Sequence, residues 1–130
     1  MEDEIRAAVE WWKGVLRRPP RHDNGEEMQS AFANVLAANL EPLPEEQVER
    51  FGVALADGLV GFVRPERNNY LAVDYAPKGI LLEAAEKAGI EIGNLDLRFP
   101  FKTGMWIEPG RVTVSCGYRA PLERIYPARQ

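Results

Sequence analysis

Residues 99–118, FPFKTGMWIEPGRVTVSCGY, constrain this chain more than any other stretch. Thr103, Met105 and Ile107 alternate with Lys102, Gly104, Trp106 and Glu108. Beyond Pro109-Gly110, Val112 and Val114 alternate with Arg111, Thr113 and Ser115. Period-two alternation on both sides of a turn dipeptide predicts a β-hairpin, about 102–108 and 111–116, with one apolar and one mixed face. A lone hairpin is marginal in water. The rest of the chain must therefore cover the apolar face and extend the sheet.

The covering elements are legible as helical periodicity. Residues 2–17 place Ile5, Ala8, Val9, Trp12, Val15 and Leu16 on one face, with acidic residues first and Arg17 and Arg18 last, as the helix dipole favours. Pro19-Pro20 ends that helix. Trp12 is expected in the core and Trp11 at a rim or interface, where its N–H can find a partner. A second helix, about 26–40, would be capped by Asp23 or Asn24 and would bury Met28, Phe32, Val35, Leu36 and Leu40. A third, about 45–62, turns Val48, Phe51, Leu55, Leu59 and Phe62 inward. YLAVD at 70–74 reads as a strand, 79–88 as a fourth helix, and Leu122, Ile125 and Tyr126 as a terminal helical turn.

The expected fold is α+β in a single domain, 1–130: three N-terminal helices, then β-α-β-β, with a small, mainly antiparallel sheet packed on helices. Three strands leave two edges, either of which can pair with a second copy, so a homo-oligomer is expected.

With 45% hydrophobic residues, 130 residues can bury a core unaided. A single cysteine, Cys116, forbids an internal disulfide and fits a reducing compartment. Cys116 on its strand is read as a buried structural thiol. One His and one Cys argue against a structural zinc site, and no metal or cofactor is expected. The acidic start, MEDEIRAAVE, matches neither a signal nor a transit peptide, and no apolar run is long enough to span a bilayer. Residues 1–63 carry 6 basic against 12 acidic side chains, and residues 94–130 carry 6 against 3. Such a field can receive a small anion but is too weak for general nucleic-acid binding. A Gly-rich phosphate loop, HExxH and GxSxG are all missing, which disfavours a common hydrolase or kinase.

Three clusters carry possible chemistry. His22-Asp23-Asn24-Gly25 precedes a helix; it could do acid–base work or contact a ligand, or form a plain capping turn with an exposed His. Asp74-Tyr75 follows a strand and precedes a helix, a common recognition position, although Asp74 could instead bond the turn backbone. Lys102-Thr103 opens the hairpin and Tyr118-Arg119 closes it, so position 102 should lie near 117. Together these form the best cationic and aromatic cluster, able to hold a phosphate by charge and a base by stacking, or else ordinary surface cations beside a packed tyrosine. Trp106, on the mixed face, is a rim, interface or stacking residue, interface foremost.

VEWWKGVLR at 9–17, HDNG at 22–25, LAVDYAPKGILLEAAEKAGI at 71–90 and FPFKTGMWIEPGRVTVSCGYRAP at 99–121 together resemble a family of small proteins of phages, prophages and mobile elements. That pattern tends to read YG-GAP where this chain has Gly117-Tyr118-Arg119-Ala120-Pro121, so Arg119 replaces a small residue and argues against a tight backbone approach there. The resemblance implies a setting of phage–host conflict in the bacterial cytoplasm, with no activity attached. Two functions fit. One is an accessory protein that binds a small anionic, nucleotide-like ligand, sequestering a host immune signal. The other is an anti-CRISPR-like inhibitor that uses its acidic helices to block a basic surface on a host defence protein. An enzyme built on the His22-Asp23 loop ranks last.

Overall fold

The structure is a computed structural model, and it describes residues 1–18, 22–91, 93 and 95–128. Pro19-Pro20, expected to end the first helix, lies outside the described residues. Helix α1 spans Glu2–Arg17, α2 Glu27–Ala38 and α3 Glu45–Phe62; β1 is Asn69–Val73, α4 Ile80–Lys87, α5 Leu95–Arg98, β2 Thr103–Glu108, β3 Arg111–Cys116 and β4 Glu123–Tyr126. The strands form one antiparallel sheet in the order β1-β2-β3-β4. The architecture is the α+β arrangement that the sequence predicts, with helices against one face of a small sheet. It carries a fourth strand: residues 123–126 pair with β3 rather than forming a helical turn.

Alternation sets which face is buried. Leu71 and Val73 from β1, Met105 and Ile107 from β2, and Val112 and Val114 from β3 all point into the core. Against them pack Ala8, Trp12 and Leu16 of α1 and Val48, Phe51, Leu55 and Leu59 of α3. Phe99 is wedged between the helices, its ring 6.0 Å from that of Trp12 and 6.1 Å from that of Phe51. Trp11 is half-buried at the rim and meets Trp12 edge-on at 4.8 Å. Lys13 is buried too. Its stem fills the space above Gly52 of α3, and its ammonium reaches Glu10 and Glu49 at the surface, so apolar stem and charged head are each satisfied.

Three further expectations fail. The large apolar side chains of α2 face solvent: Met28, Phe32, Val35 and Leu36 are exposed, and Ala33 and Ala37 are the buried residues. The small side chains let α2 lie close to the body, while α1 and α3 already fill the core. The α2 cap is Glu26, whose carboxylate accepts from the Met28 and Gln29 N–H groups; Asp23 and Asn24 bond the preceding turn instead. Cys116 is exposed, because it ends β3 at the margin of the helical cover.

Candidate functional site

Among the described residues, no helix lies over the outer face of the sheet. Tyr70 of β1 stands opposite Trp106 of β2, and their rings lie 4.8 Å apart. Tyr70 also covers Gly104: a β-carbon there would fall 2.6 Å from the Tyr70 hydroxyl. Glycine at 104 therefore lets one aromatic side chain lie down across the strand. Beside this pair a groove of about 330 Å3 runs to the hairpin end, lined by Tyr70, Trp106, Ser115, Asp74, Lys102, Tyr118 and Arg119.

The hairpin end closes as the register predicts. Thr103 pairs with Cys116, and the Gly117 N–H donates to the Lys102 carbonyl at 3.2 Å. The Lys102 N–H donates to the Asp74 carbonyl, tying the end of β1 to the same corner. The Lys102 ammonium lies 2.5 Å from Asp74 Oδ1 and 4.6 Å from the centre of the Tyr75 ring. The hydrogen bond to Asp74 raises the Lys102 pKa above its ordinary value, so this amine is a cation at any physiological pH. Arg119 holds its guanidinium 5.1 Å over the Tyr118 ring.

The 22–25 loop and the hairpin end are neighbours. The Tyr118 N–H donates to the Asp23 carbonyl at 3.0 Å, and the Tyr118 ring packs against Gly25. Within the loop, Asp23 Oδ1 accepts from the Gly25 N–H, and Asn24 Oδ1 accepts from the Glu26 N–H and the Ser30 hydroxyl. Those carboxylate and amide oxygens shape the turn, which is the plainer role open to them.

Two expected ligand contacts are turned inward. His22 is buried, not exposed: its Nε2 lies 3.0 Å from the Leu97 carbonyl and its ring 4.0 Å from that of Phe101. Burial lowers its pKa, against the opposing pull of that carbonyl, and keeps the imidazole neutral near pH 7. Thr103 is buried and donates its hydroxyl to the Pro100 carbonyl at 3.0 Å. Tyr75 meets the Phe101 ring at a tilt, 5.3 Å away, and is not among the residues that line the groove. Sequence reasoning missed Tyr70 and Ser115. The signal for Tyr70 was parity: with Leu71 and Val73 inward, position 70 must share the outer face with Trp106.

Among the described residues no helix is long and apolar enough to cross a membrane. No protein-family model matches the sequence, and no curated protein matches it. Among solved structures, the chain is similar to a doubly substituted form of the C. elegans FOG-3 BTG/Tob domain, with 15% identity, a TM-score of 0.63, and coverage of 96% of this chain and 89% of that one. At that identity the likeness is one of fold.

Proposed function

We propose that the outer-face groove binds a small anionic ligand carrying a flat ring, a nucleotide or a close analogue. The observation that carries this reading is backbone geometry. Among the described residues, the non-glycine positions with positive φ are Lys102 at 57° and Arg119 at 55°. Both flank one hairpin end, and both are cations. An L-residue held in that region gives up about 1–2 kcal/mol, which glycine would not. Residues held so tend to cluster where a side chain is needed for binding.

The groove's volume is at the lower end for small-molecule sites, near the size of a single nucleotide. Trp106 and Tyr70 supply ring faces for stacking, and Arg119 and Lys102 supply charge for a phosphate. Asp74 stands beside Lys102 and holds its ammonium at the edge of the groove. No nucleophile or general base is required, and the burial of His22 removes the residue that an enzymatic reading would use. In the phage setting that the sequence resemblance implies, such a protein would sequester a nucleotide-type immune signal of the host.

The test is titration calorimetry with a panel of mono- and cyclic nucleotides, alongside native mass spectrometry of the freshly purified protein. Arg119→Ala should weaken binding roughly 10- to 100-fold, the scale of one lost charged hydrogen bond. A panel without a binder, or a binder indifferent to Arg119→Ala, overturns the assignment. Salt-sensitive capture of a basic host protein in its place would favour the inhibitor reading, for which the exposed Glu45, Glu46 and Glu49 of α3 are the supporting surface.

A further inference from the structure

We propose that the exposed face of α2 is a dimer interface, with a second copy of this chain as its occupant and the two α2 helices antiparallel about a two-fold axis near Phe32. The proposal is independent of the ligand groove, which lies on the outer face of the sheet.

Met28, Phe32, Val35 and Leu36 stand at i, i+4, i+7 and i+8 on one helical face, and they are 80%, 68%, 60% and 41% exposed. Isolated exposed apolar residues are ordinary; a contiguous row of four on one helix is an unsatisfied packing surface. The chain is 28% charged, yet residues 28–40, MQSAFANVLAANL, contain no Asp, Glu, Lys or Arg. A charged partner would bury its ions against α2 without compensation. A helix uncharged along its apolar row meets no such penalty, and α2 beyond Glu27 is one. An isologous contact needs a self-complementary patch, which a single short row of side chains provides.

Orientation follows from the ends. Antiparallel pairing keeps the Glu26 and Glu27 carboxylates of the two copies apart and opposes the helix dipoles, whereas parallel pairing brings both pairs together. The groove of about 630 Å3 between α1 and α3 is a poorer seat for α2. Its floor includes Ile5, Val9 and Val60, but Glu2, Arg6 and Glu10 rim it, and an uncharged helix would desolvate them. Four large side chains offer on the order of 400 Å2 per copy, about half of what each partner gives to a standard stable interface. The dimer is therefore weak and forms with rising concentration.

Sedimentation equilibrium of the full chain, from about 10 μM to about 1 mM, should show the mass rising from one chain towards two. Phe32→Glu should raise the dissociation constant roughly 30-fold or more while the circular-dichroism spectrum stays native, since the site is exposed. In a Cys116→Ser background, Phe32→Cys should form a disulfide-linked dimer under mild oxidant and Met28→Cys should not, because position 32 faces its own symmetry mate. A monomer at every concentration overturns the proposal. So do a dimer that survives Phe32→Glu, cross-linking at 28 in preference to 32, and species longer than a dimer that Ile5→Glu abolishes.

Discussion

The ring of Tyr118 occupies the space that a side chain on Gly25 would need: a β-carbon at position 25 would sit 2.5 Å from Tyr118 Cδ1. Gly25 also has φ +86°, so it serves both the turn and the contact. Through this contact the loop before α2 sets where the hairpin end, and with it Arg119, can lie.

Gly25→Ala should therefore act twice. The left-handed backbone and the displaced ring together should cost about 2–3 kcal/mol of stability. The variant should also bind the groove ligand more weakly than Tyr118→Phe, which keeps the ring. Denaturant melts and calorimetry on both variants check this; a Gly25→Ala protein of native stability would deny the close approach.

Arg119→Gly should separate strain from binding. Glycine accepts φ near 55° without steric penalty, though its unfolded chain is freer. Stability should be unchanged or higher by up to about 1 kcal/mol, while anion affinity falls as far as in Arg119→Ala. A destabilised Arg119→Gly would mean that the stacking of Arg119 on Tyr118 is structural and that the left-handed backbone is not the cost we assign to it.

His22 makes stability depend on pH. Its folded pKa lies below the ordinary 6.5, so the unfolded chain binds the proton more readily. The stabilisation is complete above about pH 6.5 and is lost as pH falls through the unfolded value towards the depressed folded one. The slope from this single group is at most about 1.4 kcal/mol per pH unit. Urea melts between about pH 7.5 and 5 should show it, and His22→Gln should flatten it even if that variant is weaker throughout. Equal slopes in both proteins would remove His22 as the cause. The His22 backbone is clipped on both sides by Asn34, which ties this loop to α2.

Much of the fold was legible because alternation and helical periodicity record burial directly. The register around Pro109-Gly110 placed Lys102 beside Gly117, and the core residues named on β2 and β3, Thr103 included, follow from it. α2 misled because periodicity shows that a helix has two faces and not which one is covered. There the body takes the Ala33 and Ala37 side, and the larger row stays outside. β4 was hidden by its length, since four residues show too little alternation to tell a strand from a turn. His22 was misplaced because its loop is polar in sequence. Its burial depends on Phe101 and Leu97, some 75 residues away, and local reading cannot see that contact.

Asp74 is the residue whose substitution says most about the groove. Its carboxylate neutralises Lys102 at 2.5 Å in a partly exposed pair, so it competes with any phosphate for that ammonium. Asp74→Asn leaves a hydrogen-bonding side chain of the same shape and removes the competing charge. Affinity for a phosphate-bearing ligand should rise roughly 3- to 10-fold at low salt, and the gain should shrink as salt screens the site. The melting temperature should change little, since exposed ion pairs contribute little. Calorimetry at two salt concentrations reads both effects. A fall in affinity would instead give Asp74 a direct contact with a donor on the ligand, and would shift phosphate binding from Lys102 to Arg119 alone.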